Sequence, residues 1–420
     1  MKKLLLSALF VSSFVFALAP TPAPKQEGEV VYHNATIHIG NGKVMQGATI
    51  AFSDGKISRL GYFKSKWMPT DIDLKGKHIY PGLILPVTRV GLTEVDAVKA
   101  TIDDKEVGQL NPNVRSIVAY NTDSEIIPTL KYNGVLLAQP APSGGLVSGL
   151  SSVVQLDAWN WQDAAIKSDD GVHVNWPSAT RPKFDMATFT LKTVENKNYI
   201  KQLDQIKALF NDAKQQSKNI KLDAVKPVFT GARTVFIHAN KPKAIIEAVN
   251  YFQSTGVKKL VLVTGQAVLP IINFIKQTGI AVIVSSVHST PQRKDMSVDA
   301  GYTTAIKLQK AGLLVALAYQ GGMTMGSRNL AFTAGTLASY GMEKEQALQL
   351  ITGNTAKILG IDKNYGTLEV GKSATLFISQ GDALDMKGNI ILDAYIDGRK
   401  LNLKGRQQAL NQRYLKKYNK

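Results

Sequence analysis

The 420-residue chain contains no cysteine. Without a thiolate, nucleophilic cysteine chemistry, cysteine-ligated zinc, iron–sulfur clusters and disulfide-stapled small scaffolds are all excluded. A metal must then bind through imidazole, carboxylate or another oxygen donor, and imidazoles are scarce, six in all. Long apolar runs are missing too: the most pronounced, Leu4 to Leu18, is shorter than the ~20 residues a spanning helix needs. Negative charge is in deficit, 32 Asp and Glu against 50 Lys and Arg, for a net charge of +18. Core-forming residues are plentiful, 44% hydrophobic with 14 Tyr and 14 Phe, so a packed fold is expected and disorder is not. At roughly 150 residues per domain, the length suits two or three domains, or one barrel with an accessory domain.

Met1-Lys2-Lys3 followed by an apolar run broken only by Ser7, Ser12 and Ser13 has the layout of a secretory signal peptide over residues 1–19. Cleavage fits after Ala17 or after Ala19. The expectation is an exported protein, periplasmic or extracellular, that does not span the membrane. Losing Lys2 and Lys3 lowers the charge to +16. Residues 20–29, with Pro20-Thr-Pro-Ala-Pro24, read as an extended Pro-rich spacer.

Residues 30–80 alternate in the manner of short strands, punctuated by the turn signals Gly40-Asn41-Gly42 and Ser53-Asp54-Gly55. Similar β-like runs return over 365–403, at Ala374–Ser379 and Ile390–Ile396. Between them, over 81–364, continuously apolar runs alternate with helical stretches: Thr234–His238 before 241–254, Lys259–Val263 before 269–278, Ala281–Ser285, and Leu313–Leu317 before 330–340. Apolar β-then-α repetition implies a parallel sheet, and the segment suits the ~250 residues of a (β/α)₈ barrel. The fold class expected is therefore α/β, a barrel plus a small composite β-sandwich from both termini. Chemistry in such a barrel sits at the C-terminal strand ends, which directs attention to His238, Thr264, His288 and Tyr319-Gln320.

Specific segments carry a resemblance. Asn34-Ala-Thr-Ile-His-Ile-Gly-Asn-Gly42, Asp54-Gly-Lys-Ile57 and Gly76-Lys-His-Ile-Tyr-Pro-Gly-Leu-Ile84 at one end, and Ala347–Ala356, Ile358–Ile361 and Gly366–Phe377 at the other, resemble the metal-dependent amidohydrolase superfamily in its imidazolonepropionase-like branch. The likeness covers about residues 30 to 400. It implies hydrolysis of non-peptide C–N bonds in a small amide, cyclic amide or dipeptide. It further implies a His-x-His pair on the first strand, His on the fifth and sixth and Asp on the eighth. Those ligands hold one or two divalent metals whose bound water attacks the substrate. Placed on this chain, the positions are Val87, Arg89, His238, Thr264 and Gln320, so only His238 remains as a metal ligand. No His lies between His78 and His173 and no acid between Asp299 and Glu343, so a shifted alignment restores nothing. At most one weakly held divalent metal is expected, zinc by the resemblance, or none.

Two functions follow as alternatives: an amidohydrolase-like hydrolase centred on His238, or a catalytically inactive homologue that binds a small-molecule ligand or partners an active relative. Homo-oligomerisation is the other partnership expected. Candidate ligand-binding residues are Arg89, His238, His288, Gln320 and Arg328. His288 opens the polar loop 287–299, read either as a site with Arg293, Asp295 or Asp299, or as an ordinary hydrogen-bonded loop. The glycine-rich Ser143–Ser152 lacks phosphate-loop spacing and reads as a turn-rich loop. Trp159, Trp161 and Trp176 read as core or interface anchors before stacking platforms. Lysines 192, 197, 201, 207, 214, 218 and 221 are placed along one helix, and a terminal basic helix occupies 404–420. No nucleic-acid motif accompanies this charge, and no nucleic-acid partner is expected.

Overall fold

The computed structural model describes residues 21–63, 71–215, 218–319 and 323–418. The leader and Gln320 lie outside the described residues. The first strands are β1 (Val30–His38), β2 (Val44–Ser53), β3 (Lys56–Gly61), β4 (Ile72–Asp73) and β5 (His78–Pro81). There follow β6 (Leu83–Thr88), β7 (Val135–Pro140), β8 (Val147–Gln155), β9 (Ala165–Asn175), β10 (Thr180–Asp185) and β11 (Thr190–Glu195). The remainder are β12 (Thr234–His238), β13 (Leu260–Thr264), β14 (Ala281–Val284), β15 (Val315–Leu317), β16 (Leu376–Ser379), β17 (Ile391–Ile396) and β18 (Arg399–Lys400).

One sheet joins both ends of the chain in the order β18-β17-β16-β5-β1-β2-β3, with β4 beside β1. Its tightest turn is Asp54-Gly55, at φ 50° and 78°, the doubly left-handed geometry that two-residue hairpins require. Its inward residues, among them Tyr32, Ile50, Phe52, Ile79 and Leu376, form a separate core.

The second sheet runs β15-β14-β13-β12-β9-β8-β7-β6 and curls into a nearly closed TIM-like barrel. Alternate residues divide two cores, as a strand's period of two dictates. Ile84, Leu137, Phe236, Val261, Val263 and Ile283 fill the interior. Val172, Val235, Ile237, Leu262 and Val282 face outward into the cluster shared with Ile245, Val249 and Phe252 of helix Pro242–Ser254. The ends of the sheet do not pair with each other. Leu317 N donates to Leu350 O at 3.1 Å and Ile84 N to Ile351 O at 2.9 Å, so a two-residue segment stands in the seam.

Three expectations are corrected. The sheet is not wholly parallel: β8 runs antiparallel to β7 and β9. The links 141–146 and 156–164 are shorter than the dozen or more residues a parallel crossover takes. The glycine-rich stretch accordingly becomes strand from Val147 onward, and Gly149 is needed because a Cβ there would lie 2.5 Å from Val114 O. The lysines do not share a helix: Lys192 is in β11, and helix Tyr199–Asp212 begins only after Asn196, whose amide bonds Ser178 O and Gln202 Oε1. Trp176 is buried with its Nε1 donating to Glu247, and Trp159 is exposed. No described helix is long and apolar enough to cross a membrane.

A buried ionic node ties the parts together. Asp157 accepts from Ala23 N at 2.8 Å, Lys131 Nζ at 3.0 Å and Arg399 Nη1 at 3.0 Å, linking the spacer, the barrel and β18. Removing one partner of a buried charge group leaves the others uncompensated. Asp157→Asn is expected to lower unfolding free energy by about 3–5 kcal/mol in urea titration. Breaking the exposed Arg59–Glu29 pair with Glu29→Gln is expected to cost less than about 1 kcal/mol.

Candidate functional site

The barrel mouth, at the C-terminal ends of β6, β9 and β12 and beyond β15, encloses a cavity of about 420 Å³. Val87, Arg89, Asn175, His238, Tyr319 and Ser327 line it. Two of the sequence-selected residues, Arg89 and His238, therefore meet there. Counted from β6, β12 is the fifth strand and β13 the sixth, so His238 and Thr264 occupy the ordinal positions expected.

His238 ends β12 and faces His173 on β9, with His173 Nδ1 2.9 Å from His238 Nε2. His173 stacks on Phe236, ring centroids 4.7 Å apart. Gly171 makes this fit possible, since a Cβ there would lie 2.1 Å from the Phe236 ring. Burial pushes the His238 imidazole down to about 4, and burial together with its neighbour pushes His173 well below the usual histidine range. Both rings are therefore neutral at pH 7, and one must donate to the other. His173 Nε2 is buried without a partner among the described residues. A buried lone pair costs less than a buried orphan N–H, so the proton is assigned to His173 Nδ1. His238 Nε2 accepts, and its Nδ1–H is left as a donor on the residue that lines the cavity.

Beneath the dyad lies a second polar group. Val87 N donates to Gln139 Oε1 at 3.1 Å, and Gln139 Nε2 donates to Asp170 at 2.8 Å. Ser151 Oγ donates to the other Asp170 oxygen at 2.7 Å. Burial pushes the Asp170 carboxyl up to about 6, against the pull of Ser151, Lys167 and Gln139. Val87 itself has φ +49°, a rare conformation for a β-branched residue.

Arg89 stands where the second first-strand ligand is expected. Its Nη2 donates to Asp96 Oδ1 at 2.6 Å, and Asp96 also accepts from the Thr324 N–H and hydroxyl. This clasp joins the loop after β6 to the turn after β15. Thr264 is buried and spends its hydroxyl on Ala239 O at 2.7 Å. Arg328 shares the turn Thr324–Asn329 with cavity residues Thr324 and Ser327 but does not line the cavity itself. His288 is not at the mouth. Its Nε2 bonds Thr336 Oγ1 at 2.8 Å and it borders a different cavity, beside helix Leu330–Ser339, because the chain turns outward at Val287–Ser289. Arg293 pairs with Asp295 within that loop.

The donor set does not fit a catalytic zinc, which takes three protein ligands. Two imidazoles are bound to each other, Asp96 is engaged by Arg89 and Thr324, and Asp170 by Gln139 and Ser151. Among the described residues no three or more His, Cys, Asp or Glu are grouped to hold a metal ion. Sequence reasoning missed His173, Asp96 and Asp170. The alternation Gly171-Val-His-Val-Asn175 was the signal available for the first.

The shifts have opposite signs. Unfolded His238 takes a proton near 6.5 and the folded ring only near 4, so its contribution is complete above pH 6.5 and is lost as pH falls toward 4. Its size is at most about 3 kcal/mol, less for the edge that meets the cavity. Asp170 keeps its proton to about 6 when folded, so folding gains stability as pH falls from 6 to 4. In urea melts over pH 4–7, His238→Gln is expected to flatten or reverse the acid loss, and Asp170→Asn to steepen it.

The sequence profile described as the Amidohydrolase family matches residues 187–401. Among solved structures, an amidohydrolase from Thermotoga maritima MSB8 superposes with a TM-score of 0.76 at 21% identity, over 89% of this chain and 99% of that one. A Xaa-Pro dipeptidase with bound methionine gives 0.56 at 15% identity over 89% and 100%, and molinate hydrolase 0.54 at 14% over 90% and 96%. At such identities these structures speak for the fold alone. No curated protein sequence matches the chain. The profile spans just over half of the 420 residues, from the turn between β10 and β11 through the strands carrying His238 and Thr264 to the returning sheet, and the chain belongs to the amidohydrolase family.

Proposed function

We propose that this protein is an exported, ligand-binding member of the amidohydrolase family that holds a small oxyanion or carbonyl compound in its barrel mouth without a metal-bound water. The observation that carries the reading is the His173–His238 hydrogen bond, which ties up Nε2 of His238, the one imidazole at a position where the resemblance implies a metal ligand. A ring pushed down to about 4 is also a poor general base near neutrality, where catalytic groups work best with a pKa close to the operating pH. What the mouth offers instead is donors: the Arg89 guanidinium, the His238 Nδ1–H and the Tyr319 and Ser327 hydroxyls. Such a set suits an acceptor-rich ligand, a carboxylate or an amide carbonyl, and the cavity is of small-molecule size. Export rests on the Met1–Ala19 pattern.

Two measurements test the reading. Mature protein loaded with zinc or manganese and desalted is expected to retain less than a tenth of an equivalent by elemental analysis. In a thermal-shift screen of N-acyl amino acids and dipeptides, Arg89→Met is expected to weaken the best ligand at least about tenfold, the 1.4 kcal/mol or more of a charge-assisted hydrogen bond. A full equivalent of metal that disappears in His238→Ala, accompanied by hydrolysis of the same compounds, returns the protein to the metallohydrolases.

A further inference from the structure

The hairpin β10–β11 is built unlike the rest of the molecule. Its register pairs Phe184 with Leu191, Lys183 with Lys192 and Arg181 with Val194. One face therefore carries Phe184 and Leu191, joined near the turn by Phe189, whose ring meets Phe184 edge-on at 6.2 Å. Phe189 is 76% and Leu191 72% exposed, and Met186 at the turn is 71% exposed. The other face carries Arg181, Lys183 and Lys192, with Asp185 paired to Lys192. Two lysines directly opposite one another disfavour the pairing. A two-stranded hairpin standing alone is marginal in water, and this one exposes its apolar side chains at the tip. Both features are costs in solution that a surface apolar at depth and anionic at its face removes.

The hairpin's root fixes where such a surface would lie. Asn175, the last residue of β9, lines the mouth cavity, and β10 starts five residues later. Lys241, three residues beyond His238, bonds the Thr180 hydroxyl at the hairpin base. The terminal helix Arg406–Lys417 touches the same end of the barrel through Gln407 and Met325, in the turn after β15. It buries no residue, exposes Leu410, Tyr414 and Tyr418 at helical spacing, and carries Arg406, Arg413, Lys416 and Lys417. Apolar side chains flanked by cations, on a chain of net charge +18, match the requirements for binding at an anionic lipid interface.

We infer that the β10–β11 hairpin inserts its Phe184, Met186, Phe189 and Leu191 tip into an anionic lipid surface, with Arg181, Lys183 and Lys192 on the headgroups, and so brings the barrel mouth to the membrane. The inference does not depend on which ligand the cavity takes or on whether a metal binds.

The test is co-sedimentation of the full mature chain with vesicles of phosphatidylglycerol and phosphatidylethanolamine, against vesicles of phosphatidylcholine. Binding is expected to be at least tenfold stronger to the anionic vesicles, and to fall at least tenfold in Phe184→Ser/Phe189→Ser and in Lys183→Glu/Lys192→Glu. All four positions are on the hairpin surface, so thermal unfolding of the variants should match that of the wild type. F189W should shift its emission to the blue on anionic vesicles alone. Equal binding to both vesicle types, or undiminished binding by either variant, overturns the inference. So does a wild-type dimer in sedimentation velocity that Phe184→Ser/Phe189→Ser converts to monomer, which would assign the hairpin to a second copy of this chain.

Discussion

Everything at the mouth depends on how the barrel closes. A curled eight-stranded sheet must satisfy the backbone groups of its first and last strands or leave them as buried orphans. Here β15 has three residues and β6 does not pair with it, so Leu350 and Ile351 supply the missing carbonyls. Asn354 adds a side-chain bond to Val315 O at 3.0 Å. The segment resembling the family's closing helix thus has a structural duty that requires no catalytic residue. With the seam filled, the ends of β6 and β15 converge, and Val87, Arg89 and Tyr319 can face one cavity.

That closure also sets the electrostatics of the interior. A polar side chain pointing into the barrel must find its partner inside it. Gln139, Ser151 and Asp170 do so with one another and with the backbone of Val87, and His173 with His238. These arrangements are nearly self-contained, and the residues free to greet a ligand are those above them. Arg89 brings a guanidinium to the rim of the cavity. Its pairing with Asp96 holds the loop after β6 against the turn after β15, so the same contact shapes the cavity and tunes its charge.

Much of the fold was legible. Gly40-Asn-Gly42 and Asp54-Gly55 marked real turns, and the apolar runs Thr234–His238 and Lys259–Val263 fall on adjacent strands in the expected order. Less was legible where pairing decides structure. Ser143–Ser152 is rich in glycine because backbone passes close to it, as at Gly149 and Val114, and composition reports the glycine without the neighbour. The segment 180–195 holds three lysines or arginines and scattered apolar residues, and only its register sorts them into two faces. The His173–His238 contact joins residues 65 apart on neighbouring strands, so neither histidine announces it alone. His288 misled for a related reason: a residue after a strand can turn toward the axis or away from it, and a bond to Thr336 on the flanking helix took it away.

Val87 is where these threads meet. A β-branched residue at φ +49° costs on the order of 1–3 kcal/mol and persists only where its surroundings over-determine it. Two of them do: the buried Gln139 holds the Val87 N–H from below, and the Arg89–Asp96 clasp holds the chain two residues on. Gln139 is in turn committed to Asp170, so the strained turn, the buried acid and the clasp form one continuous structure from the barrel interior to its rim. Strain of this kind clusters where a barrel presents side chains to a ligand, at the C-terminal strand ends. The side chains that this backbone turns to the cavity, Arg89 and Tyr319 among them, are hydrogen-bond donors. A ligand in the mouth would therefore meet donors held by a backbone that the barrel interior fixes from below.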